Sequence, residues 1–139
     1  MPKSMLIVDD DLNDVNLIKR AVLSLGPKSP VWTVTSAKEL RDYLDGEGRY
    51  ADREAFPYPA LILLDLRMPE VNGLEVLGWL KRESRHAEIP VIAVSAFDRQ
   101  REIRKSYELG ACTFLSKPVN PISFLSAVRS LRLPIEFSD

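Results

Sequence analysis

Leu61-Ile62-Leu63-Leu64-Asp65-Leu66-Arg67-Met68-Pro69 opens with four consecutive apolar residues that run into a lone carboxylate. An apolar run without polar alternation reads as a strand buried on both faces, the habit of a parallel sheet covered by helices. The same pattern recurs outward from it. Met5-Leu6-Ile7-Val8 runs into Asp9-Asp10-Asp11, Val91-Ile92-Ala93-Val94 stops at Ser95-Ala96, and Thr113-Phe114-Leu115 stops at Ser116-Lys117-Pro118. Ligands of an open parallel sheet bind in the crevice outside the carboxyl ends of its strands. The four strand ends therefore bring an acidic cluster, a separate aspartate, a hydroxyl and a lysine to one edge. That set suits a divalent cation and a phosphoryl group.

Helical periodicity fills the intervals. Val15, Ile18, Val22 and Leu25 predict a helix stopped at Gly26-Pro27, and Val31-Trp32-Thr33-Val34 reads as a further strand. Ser36 with Glu39 has the spacing of a capping box, and Gly46 closes that helix. Leu74, Val76, Leu77 and Leu80 mark a third helix from Gly73 to about Glu83. A fourth, poorer in apolar residues, is expected from near Asp98 to Leu109. Asn120-Pro121 supplies an N-cap and a first-position proline for a last helix bearing Phe124, Leu125, Val128 and Leu131. The alternation is (βα)5, a doubly wound α/β domain. The connection from Glu47 to Pro59 is long for its type, and its Tyr50, Phe56 and Tyr58 are expected either to pack on the domain or to form a contact surface.

Size and composition narrow the field. The chain has 139 residues, one domain's worth, with 45% hydrophobic and 28% charged residues, ordinary for a globular protein. With 19 basic against 20 acidic residues and no Lys/Arg stripe, no nucleic-acid partner is expected. No apolar run approaches the roughly 20 residues that span a bilayer. Met1-Pro2-Lys3-Ser4 opens no signal peptide, and a single cysteine forms no internal disulfide. A cytoplasmic protein with no membrane partner is the expectation.

The strand-end residues have matching chemistry. Crowded carboxylates repel one another unless a cation neutralises them. All-oxygen donors at a partly open site suit Mg²⁺, which binds one or two carboxylates plus a phosphate. Asp65, alone after its strand, is the carboxylate placed to attack phosphorus. Lys117 supplies a point charge for phosphoryl oxygens, and Ser95 a hydroxyl donor. Asp11 reads as a helix-cap residue.

As a set, Val8-Asp9-Asp10, Leu63-Leu64-Asp65-Leu66-Arg67-Met68-Pro69, Val94-Ser95-Ala96, Lys117-Pro118, Asn72-Gly73 and Leu109-Gly110-Ala111 closely resemble the receiver domain of two-component response regulators, from Met5 to about Leu131. The resemblance implies a flavodoxin-like sheet in the order 2-1-3-4-5, one domain over residues 1–139 with a tail from 132. It makes Asp65 the phosphoacceptor for a histidine kinase. Asp10 and Asp65 would bind Mg²⁺ directly with the backbone carbonyl of Arg67, and Asp9 largely through water. Lys117 would pair with Asp65 and then with its phosphoryl group, ahead of a cis bond to Pro118. Ser95 would move inward on phosphorylation, and Phe114 would swing into the space it leaves. Such a receiver phosphorylates and dephosphorylates itself but turns over no diffusing substrate, so it is not expected to be an enzyme.

Within the family, Gly46-Glu47-Gly48-Arg49-Tyr50-Ala51, Arg104-Lys105-Ser106-Tyr107-Glu108-Leu109-Gly110-Ala111 and Ser116-Lys117-Pro118-Val119 resemble the small stand-alone regulators of phytochrome-type histidine kinases. That implies a cytosolic light-signalling regulator and a homodimer through the face of helix 4, strand 5 and helix 5; the receiver reading adds transfer onward to a histidine phosphotransfer protein as an expectation. The apolar Ile135 and Phe137 are expected to extend the dimer interface. The chain ends soon after its last helix, so output by protein–protein contact is expected. Three positions depart from the better-known pattern. Phe114 replaces a tyrosine, Arg67 is expected to pair with the acidic cluster when metal is absent, and Phe97 brings a bulky ring to the rim. Arg67 and Phe97 together are expected to hinder attacking water and lengthen the phosphoryl lifetime.

The remaining residues have plainer readings. His86 is expected to be a solvated helix-end histidine, Cys112 a small buried residue, and Trp32 and Trp79 packing residues. Arg99 to Lys105 reads as a solvated helix face. A haloacid-dehalogenase-type phosphatase would need a second aspartate where Arg67 stands. A phosphate-independent scaffold or dimerisation module is the alternative that Asp9, Asp10, Asp65, Ser95 and Lys117 disfavour.

Overall fold

Alternation along three central strands sorts the core into two layers. In the computed structural model, which describes residues 3–68, 72–82, 85–96 and 99–138, strands β1 (Ser4–Val8), β2 (Val31–Val34), β3 (Pro59–Asp65), β4 (Val91–Ser95) and β5 (Thr113–Ser116) form one sheet in the order β2-β1-β3-β4-β5. All neighbouring strands are parallel. Successive side chains of a strand point to opposite faces. Leu6, Val8, Ile62, Leu64, Val91 and Ala93 accordingly pack on helices α2 (Ala37–Asp45) and α3 (Gly73–Arg82). Met5, Ile7, Leu61, Leu63, Ile92 and Val94 meet α1 (Leu12–Leu23) and α5 (Pro121–Ser130) on the other face. Helix α4 (Gln100–Glu108) buries only Ser106 among its residues, so apolar packing anchors it least. Its expected start near Asp98 lies outside the described residues.

The helix ends are fixed as their residues predict. Asp11 accepts from the N–H groups of Asn13 and Asp14, and Asn120 from those of Ile122 and Ser123, next to Pro121. Ser36 Oγ accepts from the Glu39 N–H at 3.1 Å, while the Glu39 carboxylate accepts from the Thr35 N–H at 2.7 Å, one residue before the Ser36 N–H that the expected capping box would use. Helix α1 stops at Leu23, before Leu25, and the chain turns at Gly26 in the left-handed region, φ 65°.

The long connection after α2 packs on the domain. Its 3₁₀ turn, Gly48–Ala51, brings Tyr50 beside Tyr43, and Phe56 lies 4.7 Å from the Trp32 ring. Arg53 donates to the Tyr43 and Leu44 carbonyls at 2.8 Å each, capping the end of α2 where the Gly46 N–H also reaches the Tyr43 carbonyl.

Two expectations are corrected here. The tail residue Ile135 is buried against its own domain, and the Phe137 ring meets Phe124 edge-on. The tail is tied by a Lys28 N–H to Glu136 carbonyl bond, so Ile135 serves the domain's own core, with the partly buried Phe137 packed against it. His86 is not solvated: only 6% of it is exposed. Its Nε2 lies 2.8 Å from Asp45 Oδ1, and its Nδ1 2.6 Å from the Tyr58 hydroxyl. A carboxylate only accepts, so Nε2 donates to Asp45. The His86 bond holds the Asp45 carboxyl below its ordinary value, outweighing burial, with Arg85 assisting. Tyr58 enters this network from the long connection after α2, packing on the domain.

Candidate functional site

Strand register assembles the site. Val8 pairs with Leu64 and Asp65 with Val94, while Ser95 pairs with Ser116. Asp9, Asp65, Ser95 and Lys117 therefore leave the sheet at one edge, with Asp10 beside them. Carboxylate oxygens of Asp9, Asp10 and Asp65 lie within 4.8 Å of one another. Asp9 and Ser95 are fully buried, and Asp65 is 3% exposed.

Short backbone bonds aim the carboxylates. The Asp11 N–H donates to Asp9 Oδ1 at 3.0 Å, and the Arg67 N–H to Asp65 Oδ1 at 3.1 Å. Gly73 lies against the end of β3 and donates its N–H to the Leu66 carbonyl. A Cβ at Gly73 would strike Leu66 Cα and lie 2.5 Å from the Asp65 carbonyl oxygen. Gly73 is thus required by a close backbone approach to Leu66 and the candidate phosphoacceptor, while Asn72 Oδ1 accepts from the Leu74 N–H at 2.9 Å.

Lys117, with a side chain 11% exposed, donates to Asp9 Oδ2 at 2.9 Å and to Asp14 Oδ2 at 2.7 Å, and lies 3.4 Å from Asp65 Oδ1. Burial alone would depress its pKa. The bonds to Asp14 and Asp9 and the charges of Asp65 and Asp9 outweigh that and hold it above the ordinary lysine value. Asp14 was not singled out in the sequence, where it reads as a first-turn acidic residue favoured by the helix dipole. Burial pushes the Asp65 carboxyl up to about 6. The Arg67 N–H opposes this, the Asp9 charge reinforces it, and Lys117 relieves it in part.

The donor set fits Mg²⁺. It is all oxygen, three carboxylates converge on one point, and they include a buried carboxylate made costly to ionise by its surroundings. Phe114, beside Ala93 in β4 and partly buried, lies on the face of the sheet that carries Ser95. The Lys117–Pro118 bond is cis. Arg67 departs from its expected place: its guanidinium pairs with Glu102 of α4 at 3.2 and 3.3 Å. Glu102 is thereby drawn out of the solvated face expected for Arg99 to Lys105. Phe97 and Pro69 lie outside the described residues.

Fold and edge together define a receiver. The family model for the response regulator receiver domain matches residues 5–129, and the chain belongs to that family. It is 32% identical over 130 residues to the polar-differentiation response regulator DivK of Brucella anthropi, covering 94% of this chain and 96% of that protein. The structure of the bacteriophytochrome response regulator RtBRR matches with a TM-score of 0.80 at 35% identity, covering 100% of this chain and 82% of that one. The Mn²⁺-bound form of response regulator Rcp1 matches with a TM-score of 0.76 at 26% identity, over 99% of this chain and 100% of that one. No described helix is long and apolar enough to cross a membrane.

Proposed function

We propose that this chain is a stand-alone cytoplasmic receiver that accepts a phosphoryl group on Asp65 from a phytochrome-type histidine kinase. The observation that carries the reading is the convergence of Asp9, Asp10 and Asp65, with Lys117 3.4 Å from Asp65. The likeness to RtBRR supports the phytochrome link. The match to DivK over 94% of this chain supports one receiver unit over residues 1–139.

Asp10, Asp65 and the Arg67 carbonyl would hold Mg²⁺, and Asp9 would reach it largely through water. When bound, the cation neutralises charge on the phosphoryl oxygens and the carboxylates. The chain's own residues do the rest. With its pKa near 6, Asp65 is ionised at neutral pH, and its carboxylate oxygen forms the new bond to phosphorus. The phosphorus–nitrogen bond to the kinase histidine breaks, and the imidazole leaves with the electron pair. Lys117 follows the negative charge onto the phosphoryl oxygens. Ser95 then moves inward to a phosphoryl oxygen, and Phe114 takes the space. Output is by protein contact, including a homodimer through α4, β5 and α5. Half-exposed β5 and lightly anchored α4 support that face. Onward transfer to a histidine phosphotransfer protein uses the same Asp65. The receiver turns over no diffusing substrate and is not an enzyme in that sense.

The test is phosphoryl transfer from an autophosphorylated phytochrome-type histidine kinase of the same genome to the parent and to Asp65→Asn. Transfer to the parent alone is expected. Equal labelling of both, or of neither, overturns the reading.

A further inference from the structure

We propose that Glu102 is a positioning residue for phosphoryl transfer at Asp65, acting through Arg67. This rests on the receiver reading above and adds a means by which α4 regulates that site.

Arg67 is held at both ends. Its backbone N–H donates to Asp65 Oδ1 at 3.1 Å, and its backbone bridges to Asn72. Its side chain forms a side-on fork on Glu102, with Nε to Oε1 at 3.2 Å and Nη2 to Oε2 at 3.3 Å. The exposures are unequal: the Glu102 side chain is 12% exposed and that of Arg67 51%. A carboxylate so far withdrawn from water requires a partner, and a bidentate guanidinium fixes orientation as well as charge. Glu102 is therefore gripped, and not merely neutralised.

The grip has leverage because of where it sits. Glu102 lies in the first turn of α4, the helix that buries only Ser106. A helix with little apolar anchorage is free to respond to a polar contact. Arg67 lies two residues after Asp65, and its N–H orients the carboxylate. Displacing α4 pulls on the segment that aims the phosphoacceptor, and reorganising Asp65 pulls on α4. Coupling of this kind is reciprocal.

The experiment compares parent, Glu102→Ala, Glu102→Gln and Glu108→Ala, the last removing an exposed carboxylate from the same helix. Amide exchange at Arg67 is measured in metal-free protein, and the rate of Mg²⁺-dependent phosphorylation by a small acyl phosphate in loaded protein. Exchange protection at Arg67 is expected to fall about five-fold or more in Glu102→Ala, the scale of one charge-assisted pair. Phosphorylation is expected to slow by about three-fold or more, with Glu102→Gln intermediate and Glu108→Ala at the parent value. Unchanged exchange in Glu102→Ala overturns the proposal. Faster exchange with an unchanged phosphorylation rate makes Glu102 structural only and also overturns it. A parent that takes no phosphate sinks the receiver reading itself, an outcome told apart because it appears without any substitution.

Discussion

Lys117 stands nearer to Asp14 than to Asp65: its Nζ is 2.7 Å from one carboxylate and 3.4 Å from the other. The first turn of α1 thus draws the ammonium away from the candidate phosphoacceptor, and it sits among three carboxylates, with Asp9 Oδ2 at 2.9 Å. Asp14→Asn should return Lys117 to Asp65 and lower the Asp65 pKa below its value of about 6. Carbon-detected NMR titration of the Asp65 carboxyl checks this, and an unchanged value would show that Asp14 does not compete.

Removing the ammonium itself is a larger change. Lys117→Met leaves buried Asp9 and Asp65 without their cation, so metal-free protein should lose about 3–5 kcal/mol, the usual cost of breaking a buried pair from one side. Urea unfolding with and without Mg²⁺ measures it. Mg²⁺ should restore part of the loss.

The raised Asp65 pKa makes a signed prediction for metal-free stability. The folded state holds this proton up to about pH 6, whereas an unfolded aspartate releases it near 4. Between those values the folded state binds more protons, so stability falls as pH rises through the window. The contribution of Asp65 is fully favourable below about pH 4 and lost above about pH 6. Asp65→Asn has no such loss. It should gain on the parent as pH rises from 4 to 6, then run parallel, in thermal unfolding under chelator.

Gly73→Ala should destabilise the fold by about 1–3 kcal/mol, because its Cβ meets backbone at Leu66 and Asp65 and no flexible side chain can give way. The same substitution at Gly78, where a Cβ would sit 3.6 Å from the Leu109 side chain, should cost nothing and serves as the control.

His86→Ala should cost about 2 kcal/mol by leaving the Tyr58 hydroxyl and Asp45 without their shared partner. It should also raise the Asp45 pKa toward the ordinary value, since the His86 bond is the largest cause of its depression. A solvated histidine would show neither effect.

What the sequence revealed follows from how local each signal is. Strand ends, caps and stop glycines are written in adjacent residues. Asp65, Lys117, Ser95 and the Asp9-Asp10 pair could therefore be found from where apolar runs stop, given that parallel strands end at one edge. Contacts made by long side chains across elements leave no such mark. Arg67 reaches Glu102 at a separation of 35 residues, and His86 reaches Asp45 at 41. Nothing periodic links either pair. Asp14 was hidden differently, because an acidic first-turn residue already has a sufficient local reason to be there. The burial of Ile135 is not legible because apolar residues at a terminus carry no indication of which surface covers them.

The most direct test is intact mass after incubation with a small acyl phosphate, with and without Mg²⁺, on parent and Asp65→Asn. One phosphoryl group on the parent, dependent on the cation and absent from Asp65→Asn, is the predicted result. No phosphate on the parent despite bound Mg²⁺, or the same phosphate on Asp65→Asn, would contradict it.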